Sequence, residues 1–132
     1  MDIKISREQG RVPVTVFHLT GDLDGLSYEE LQTQADQAIQ SGAGYILLDL
    51  ANVRFMSSAG IRVINQIFTT LRALPDGENE AAMAKGLMDG TYKSHRLKLL
   101  NPSKQVVKTL STAGIDMFLE IYTDLHKAIA SF

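Results

Sequence analysis

A chain of 132 residues, 45% hydrophobic and 21% charged, has the balance of one compact domain with enough apolar surface to bury a core. Its formal net charge of -2 supplies no basic field for holding nucleic acid or an anionic membrane. With no cysteine in the sequence, a disulfide framework, a thiol nucleophile and thiolate-ligated zinc are excluded together.

The opening Met1-Asp2-Ile3-Lys4-Ile5 alternates polar and apolar residues and lacks the long apolar run of a signal peptide. No stretch approaches the ~20 apolar residues of a membrane span, and a cytoplasmic location is the expectation. Ile3 to Glu8 reads as a short edge strand ending at Gly10. Val12 to Leu19 reads as a stronger strand that Gly21 breaks, with Pro13 placing its start at an edge or outside the ladder. Ser27-Tyr28-Glu29-Glu30 has the form of a capping box. It opens a helix carrying Leu31, Ala35, Ala38 and Ile39, which Gly42 and Gly44 end.

Tyr45 to Leu50 is a near-continuous apolar run of strand length, suited to a central parallel strand buried on both faces. A second helix carries Ile61, Ile64, Ile67, Phe68 and Leu71 and stops near Leu74-Pro75. Pro75 to His95 exceeds the usual connection length, and Glu78 to Lys85 within it has the composition of a short helix. Arg96 to Leu100 is a third buried strand. Asn101 and Pro102 fit the cap and first turn of a helix carrying Val106, Val107, Leu110 and Ala113, with Gly114 as its stop. Met117 to Tyr122 reads as a last strand, and Thr123 as the cap of a final helix with Leu125, Ala128, Ile129 and Phe132. One strand followed by four strand–helix pairs predicts an α/β domain with a largely parallel sheet and right-handed crossovers.

In such a sheet, ligand sites gather on the loops leaving the carboxyl ends of the strands. Here these are Thr20 to Ser27, carrying Asp22 and Asp24; Ala51 to Ser58, carrying Ser57 and Ser58; Asn101 to Ser103; and Tyr122 to Thr123. A serine in Ser57-Ser58-Ala59-Gly60, just before a long apolar helix, is most simply an N-cap. The same place also suits a phosphate, whose charge of about -1.5 to -2 beside a helix N-terminus is stabilised by about 0.3–1 kcal/mol. Both readings hold together when one serine caps and its neighbour is exposed.

Enzyme chemistry finds little support. Met56 stands where a nucleophile elbow needs glycine before Ser58. His18, His95 and His126 are scattered, and His18, within a strand, is more simply a packed or edge residue than a general base. Asp22 and Asp24 make a weak metal pair, and Gly21-x-x-x-Gly25 lacks the Lys-Ser/Thr sequel of a P-loop. No catalytic residue, metal or cofactor is expected.

Several segments in a fixed order carry a family likeness: Gly21-Asp22-Leu23-Asp24, Leu48-Asp49-Leu50 with Val53, Met56-Ser57-Ser58-Ala59-Gly60-Ile61, Leu100-Asn101-Pro102-Ser103, and Leu110 to Ile115 followed by Phe118. Together they resemble a STAS domain of the anti-sigma factor antagonist type. The resemblance implies a single-layer, mostly parallel sheet with one added edge strand, built as a superhelix of βα units. It implies one domain over 1–132, with an insertion at about 75–95. Aligning Gly60 with the family glycine places the phosphorylated hydroxyl on Ser58. Ser57 then stands where the family usually has aspartate, and Ala59 replaces a second hydroxyl residue. Asp24 and Asp22 fall on the acidic positions of the first loop.

The implied partner is an anti-sigma factor that is also a serine kinase, with a phosphatase resetting the switch and neither nucleic-acid contact nor membrane insertion. Asp22, Asp24, Met56, Ser57, Ala59, Gly60, Ile61 and Arg62 are the partner-binding residues expected around Ser58. The alternative within the same family is an accessory subunit of a membrane transporter complex, in which Ser57 and Ser58 only cap.

Overall fold

The computed structural model describes residues 1–75 and 93–132. The expected helix over Glu78 to Lys85 and most of the insertion lie outside the described residues. Strand β1 (Asp2–Gln9) and strand β2 (Pro13–Leu23) form an antiparallel hairpin in which Gln9 faces Pro13 and Asp2 faces Thr20. Pro13 is therefore the first residue of a paired strand, a place that tolerates a missing amide. Strand β3 (Ile46–Met56) runs parallel to β2, β4 (Leu97–Leu100) parallel to β3, and β5 (Ile121–Tyr122) parallel to β4. The spatial order equals the chain order, β1-β2-β3-β4-β5. This is the α/β, largely parallel sheet that the alternation predicts, with the added edge strand that the resemblance implies, running antiparallel.

Helices α1 (Tyr28–Gln40), α2 (Ser58–Arg72) and α3 (Lys104–Thr112) cover one face of the sheet. Their Leu31, Ala35, Ile64, Ile67, Val106 and Leu110 pack on Phe17, Leu19, Ile46, Leu48, Leu50, Leu97 and Leu99. The last helix, α4 (Leu125–Ser131), covers the other face, where Ala128 and Ile129 meet Val14, Val16, Leu47 and Leu100. Successive strand residues thus enter different cores, which explains why β3 opens on an unbroken run of apolar residues.

The second face also holds polar groups, several of them paired. Lys98, whose side chain is 3% exposed, reaches Glu120 at 3.2 Å and the Ser131 carbonyl at 2.9 Å, tying α4 to the sheet. Beyond the reach of α4, a line of hydrogen bonds crosses three strands. Asp49 Oδ2 lies 2.9 Å from His18 Nδ1, and His18 Nε2 lies 2.9 Å from Ser6 Oγ. A carboxylate only accepts, so Nδ1 carries a proton, and in the neutral ring Nε2 accepts from the Ser6 hydroxyl. His18 is thereby a strand residue held by partners on both sides.

Several local expectations are corrected by competing tertiary bonds. Gly21 does not end β2: at φ 114° it bends the strand, which stays paired with β3 to Leu23. For the same reason β3 runs past Leu50 to Met56. The final strand is only Ile121–Tyr122, because Ile115–Met117 form a 3-10 turn after the left-handed Gly114. Three caps move as well. Ser27 precedes α1, but its hydroxyl donates to the Asp22 carbonyl at 2.6 Å, so no capping box forms. Ser103 caps α3 through the Val106 amide, while Asn101 is a left-handed residue at φ 52°. Asp124, one residue beyond Thr123, caps α4 by accepting from the Lys127 amide at 3.0 Å.

The hairpin turn is pressed against α4: a Cβ on Gly10 would come within 2.7 Å of the Ile129 carbonyl oxygen. Gly10→Ala is expected to lower stability by about 1–3 kcal/mol, with faster amide exchange across Leu125–Ser131. Unchanged exchange there would disprove the coupling. The Lys127 amide also holds the exposed Asp124 carboxyl below its ordinary value. Its folded pKa lies below its unfolded one, so the contribution is complete above the unfolded value and is lost as pH falls through the folded one. Asp124→Asn keeps an accepting oxygen, and its denaturation midpoint is expected to fall less steeply than that of the wild type between about pH 5 and about pH 3.

Candidate functional site

β4 stops at Leu100, opposite Asp49, while β2 and β3 continue together to Leu23 and Met56. The site is therefore built on a two-stranded extension of the sheet, in which Asp22 belongs to a strand instead of a loop. The pairing slips between His18 and Thr20 and again between Gly21 and Leu23, which twists the extension. At its tip, Ser57 N donates to the Leu23 carbonyl at 2.9 Å. That bond joins the start of α2 to the segment between Asp22 and Asp24.

Ser57 and Ser58 have different environments. Ser57 is the N-cap: its backbone is extended, its Oγ accepts from Ala59 N at 3.2 Å, and its carbonyl accepts from Ile61 N at 3.1 Å. Ser58 is the first residue of the helix and is exposed. The first turn of α2 carries no acidic side chain, so the positive end of the helix beside Ser58 is not offset from within that turn. Below it, a Cβ on Gly60 would lie 2.7 Å from Met56 Cγ and 2.9 Å from the Leu23 carbonyl oxygen. Glycine is required by that close approach.

The expected contact residues divide by exposure. Met56 (2% exposed) and Ala59 (4%) are buried, as is Gly60. These three shape the site from beneath and offer little surface of their own to a partner. Ser57 and Ile61 are half-buried and Arg62 is exposed, its guanidinium 6.0 Å from the Tyr28 ring of α1. Asp22 is 3.6 Å from Arg54 in a surface pair, an arrangement that adds little stability. Asp24 turns its carboxylate into its own loop, accepting from Leu26 N at 3.0 Å, with Ser27 Oγ 3.3 Å away.

Two further residues at this end were not singled out from the sequence: Leu26, 98% exposed in the loop before α1, and Phe55, 44% exposed on β3. The available signal was an apolar residue in the turn-forming stretch Asp24-Gly25-Leu26-Ser27. Beside the extension, a cleft of about 720 Å3 opens between Gly21, Val53 and Arg54 and the start of α3 at Ser103 and Lys104. Among the described residues, no group of three or more His, Asp or Glu side chains converges as metal ligands would, and no helix is long and apolar enough to cross a membrane.

A family model described as STAS domain matches residues 5–74, just over half of the chain. A search of curated proteins finds no match. Among solved structures, an anti-sigma factor antagonist from Mycobacterium paratuberculosis is similar at TM-score 0.70 and 15% identity, over 98% of this chain and 93% of that one. A STAS domain protein from Planctomyces limnophilus gives TM-score 0.68 and 18% identity over 96% and 93%. The Bacillus cell fate determinant SpoIIAA in its phosphorylated form gives TM-score 0.63 and 22% identity over 97% and 96%. At these identities the structural likeness is one of fold.

The two serines are separable by measurement. Ser57→Ala removes the cap and is expected to cost about 1 kcal/mol, whereas Ser58→Ala should leave stability within about 0.5 kcal/mol of the wild type. Equal losses in urea denaturation would contradict the assignment of the cap to Ser57. Gly60→Ala is expected to lower stability by about 1–3 kcal/mol through the clash with Met56 and Leu23.

Proposed function

The chain belongs to the STAS domain family, and from that premise we propose that it is a phosphorylation-controlled protein-interaction switch of the anti-sigma factor antagonist kind. Unphosphorylated at Ser58, it binds an anti-sigma factor that is also its serine kinase; phosphorylation releases that partner, and a phosphatase resets the switch. The observation that carries the reading is the division between the two serines. Ser57 holds the helix cap, which leaves the Ser58 hydroxyl exposed and, among the described residues, without a structural hydrogen bond. Similarity to a SpoIIAA fold solved in both unphosphorylated and phosphorylated forms is consistent with it.

The mechanism is electrostatic. A phosphate adds about -1.5 to -2 charges at the positive end of α2, where the fold tolerates it. The same charge lies in a region that already contains Asp22, ion-paired with Arg54, and Asp24, which accepts from its own loop. A partner surface matched to the unmodified form meets added negative charge and loses a few kcal/mol of affinity, about 10²-fold or more. Leu26 and Phe55 supply exposed apolar area around the site, suited to the centre of an interface.

Binding of the anti-sigma partner, measured by calorimetry, is the test. Ser58→Glu is expected to weaken binding by about 10²-fold. Ser58→Ala should bind like the wild type yet keep its affinity after incubation with the kinase and ATP. A wild-type affinity for Ser58→Glu, or a phosphate mapped to another residue, would sink the proposal. Leu26→Ser should weaken binding by about tenfold or more without altering stability.

A further inference from the structure

We infer that the outer edge of β1 is a self-association surface, pairing antiparallel with β1 of a second copy of this chain about a twofold axis at Ser6. The first observation is which backbone groups face outward. Thr15 N donates to the Tyr45 carbonyl at 2.9 Å, so Thr15 turns its backbone groups toward β3. Strand alternation then turns those of Val14, Val16 and His18 toward β1. Their partners Glu8, Ser6 and Lys4 face back into the sheet. The N–H and C=O groups of Ile3, Ile5 and Arg7 therefore point outward, away from β2. A strand of eight residues presenting such a row is a template for strand addition.

The second observation is the charge pattern, which selects one register. With Ser6 on the axis, Lys4 lies opposite Glu8 of the second copy, twice by symmetry, and Ile5 lies opposite Arg7. Ile3, Ile5, Arg7 and Gln9 make the exchanged hydrogen bonds. Ser6 and the Lys4–Glu8 pairs occupy the non-hydrogen-bonded positions, where side chains are closest. Each neighbouring register carries a like-charge pair. An axis at Ile5 sets Asp2 against Glu8, one at Lys4 sets lysine against lysine, and one at Arg7 sets arginine against arginine. Lys4, Ile5, Arg7 and Glu8 are all exposed, Ile5 by 45%. The charges that would blunt this edge against other strands are complementary to themselves, and pairing makes one continuous ten-stranded sheet from two five-stranded ones.

Sedimentation velocity on the full chain over a range of concentrations tests this. A monomer–dimer equilibrium is expected, weakening as salt is raised. Ile5→Pro removes an amide that faces only outward and should leave a folded monomer. Lys4→Glu and Glu8→Lys should each raise the dissociation constant by about tenfold or more, and the double swap should restore it. The chain has no cysteine, so Ser6→Cys reports the register: it should cross-link by disulfide faster than Ile5→Cys. Faster cross-linking at Ile5, charge swaps without effect, or a monomer at all concentrations would each overturn the inference. Amide exchange at Ile3, Ile5 and Arg7 should be fast in the monomer; slow exchange there would mean that the chain's own segments cover the edge, which also overturns it.

Discussion

One hydrogen bond, from the Ser57 amide to the Leu23 carbonyl, sets the geometry of the candidate site. It stands at the end of a strand pair that continues after the rest of the sheet has stopped. It brings the first turn of a long helix against the segment holding two carboxylates. Gly60 lets the helix approach closely enough for the bond to form, since any side chain there would strike Met56 or Leu23. The bond also gives the Ser57 backbone a partner, which leaves its hydroxyl for the Ala59 amide. Ser58 is consequently spare. A chemically modifiable hydroxyl is most useful where no structural bond must be broken to reach it.

The wider fold supports that arrangement by covering the two faces of the sheet unequally. Among the described residues, three helices seal one face, and successive residues of the strands beneath them are buried on alternate sides. Among the described residues the other face receives only the short α4, anchored through Lys98 and the Gly10 turn. Where α4 ends, the strands switch from apolar to polar residues and bond to each other: Ser6, His18 and Asp49 satisfy one another across three strands. The polar residues on β2 and β3 follow from a sheet face that is half covered, because a polar group beyond the cover needs a partner or water.

Most of the architecture was legible in the sequence because it follows from hydrophobic period. Tyr45 to Leu50 announced a strand buried on both faces, and Ile61, Ile64, Ile67, Phe68 and Leu71 announced an amphipathic helix. What period cannot show is where a strand ends when tertiary pairing outweighs local preference. Gly21 looks like a terminator, yet β2 passes through it because β3 is alongside to receive its hydrogen bonds. Caps failed for a similar reason. Ser27 had the right spacing to Glu30, but its hydroxyl found a carbonyl partner at Asp22 that no local pattern records. At the site, the sequence located Ser57 and Ser58 at a helix start without deciding which one caps. It also grouped Met56, Ala59 and Gly60 with exposed neighbours, because motif membership carries no information on burial.

The magnitudes indicate what a phosphate at Ser58 would change. Beside a helix N-terminus, an added anion stabilises the fold by about 0.3–1 kcal/mol, small against the 5–15 kcal/mol typical of a domain. Folding is therefore nearly indifferent to the modification. Association is not, because a charge that is solvated on the free domain must be desolvated or opposed when a partner covers it, at a cost of several kcal/mol if no cation meets it. Such a group would thus be almost silent in the free domain and decisive in the proposed complex. That asymmetry needs the hydroxyl at an exposed helix start: buried in either core, a phosphate would unfold the domain, and on a remote surface it would leave the partner unaffected.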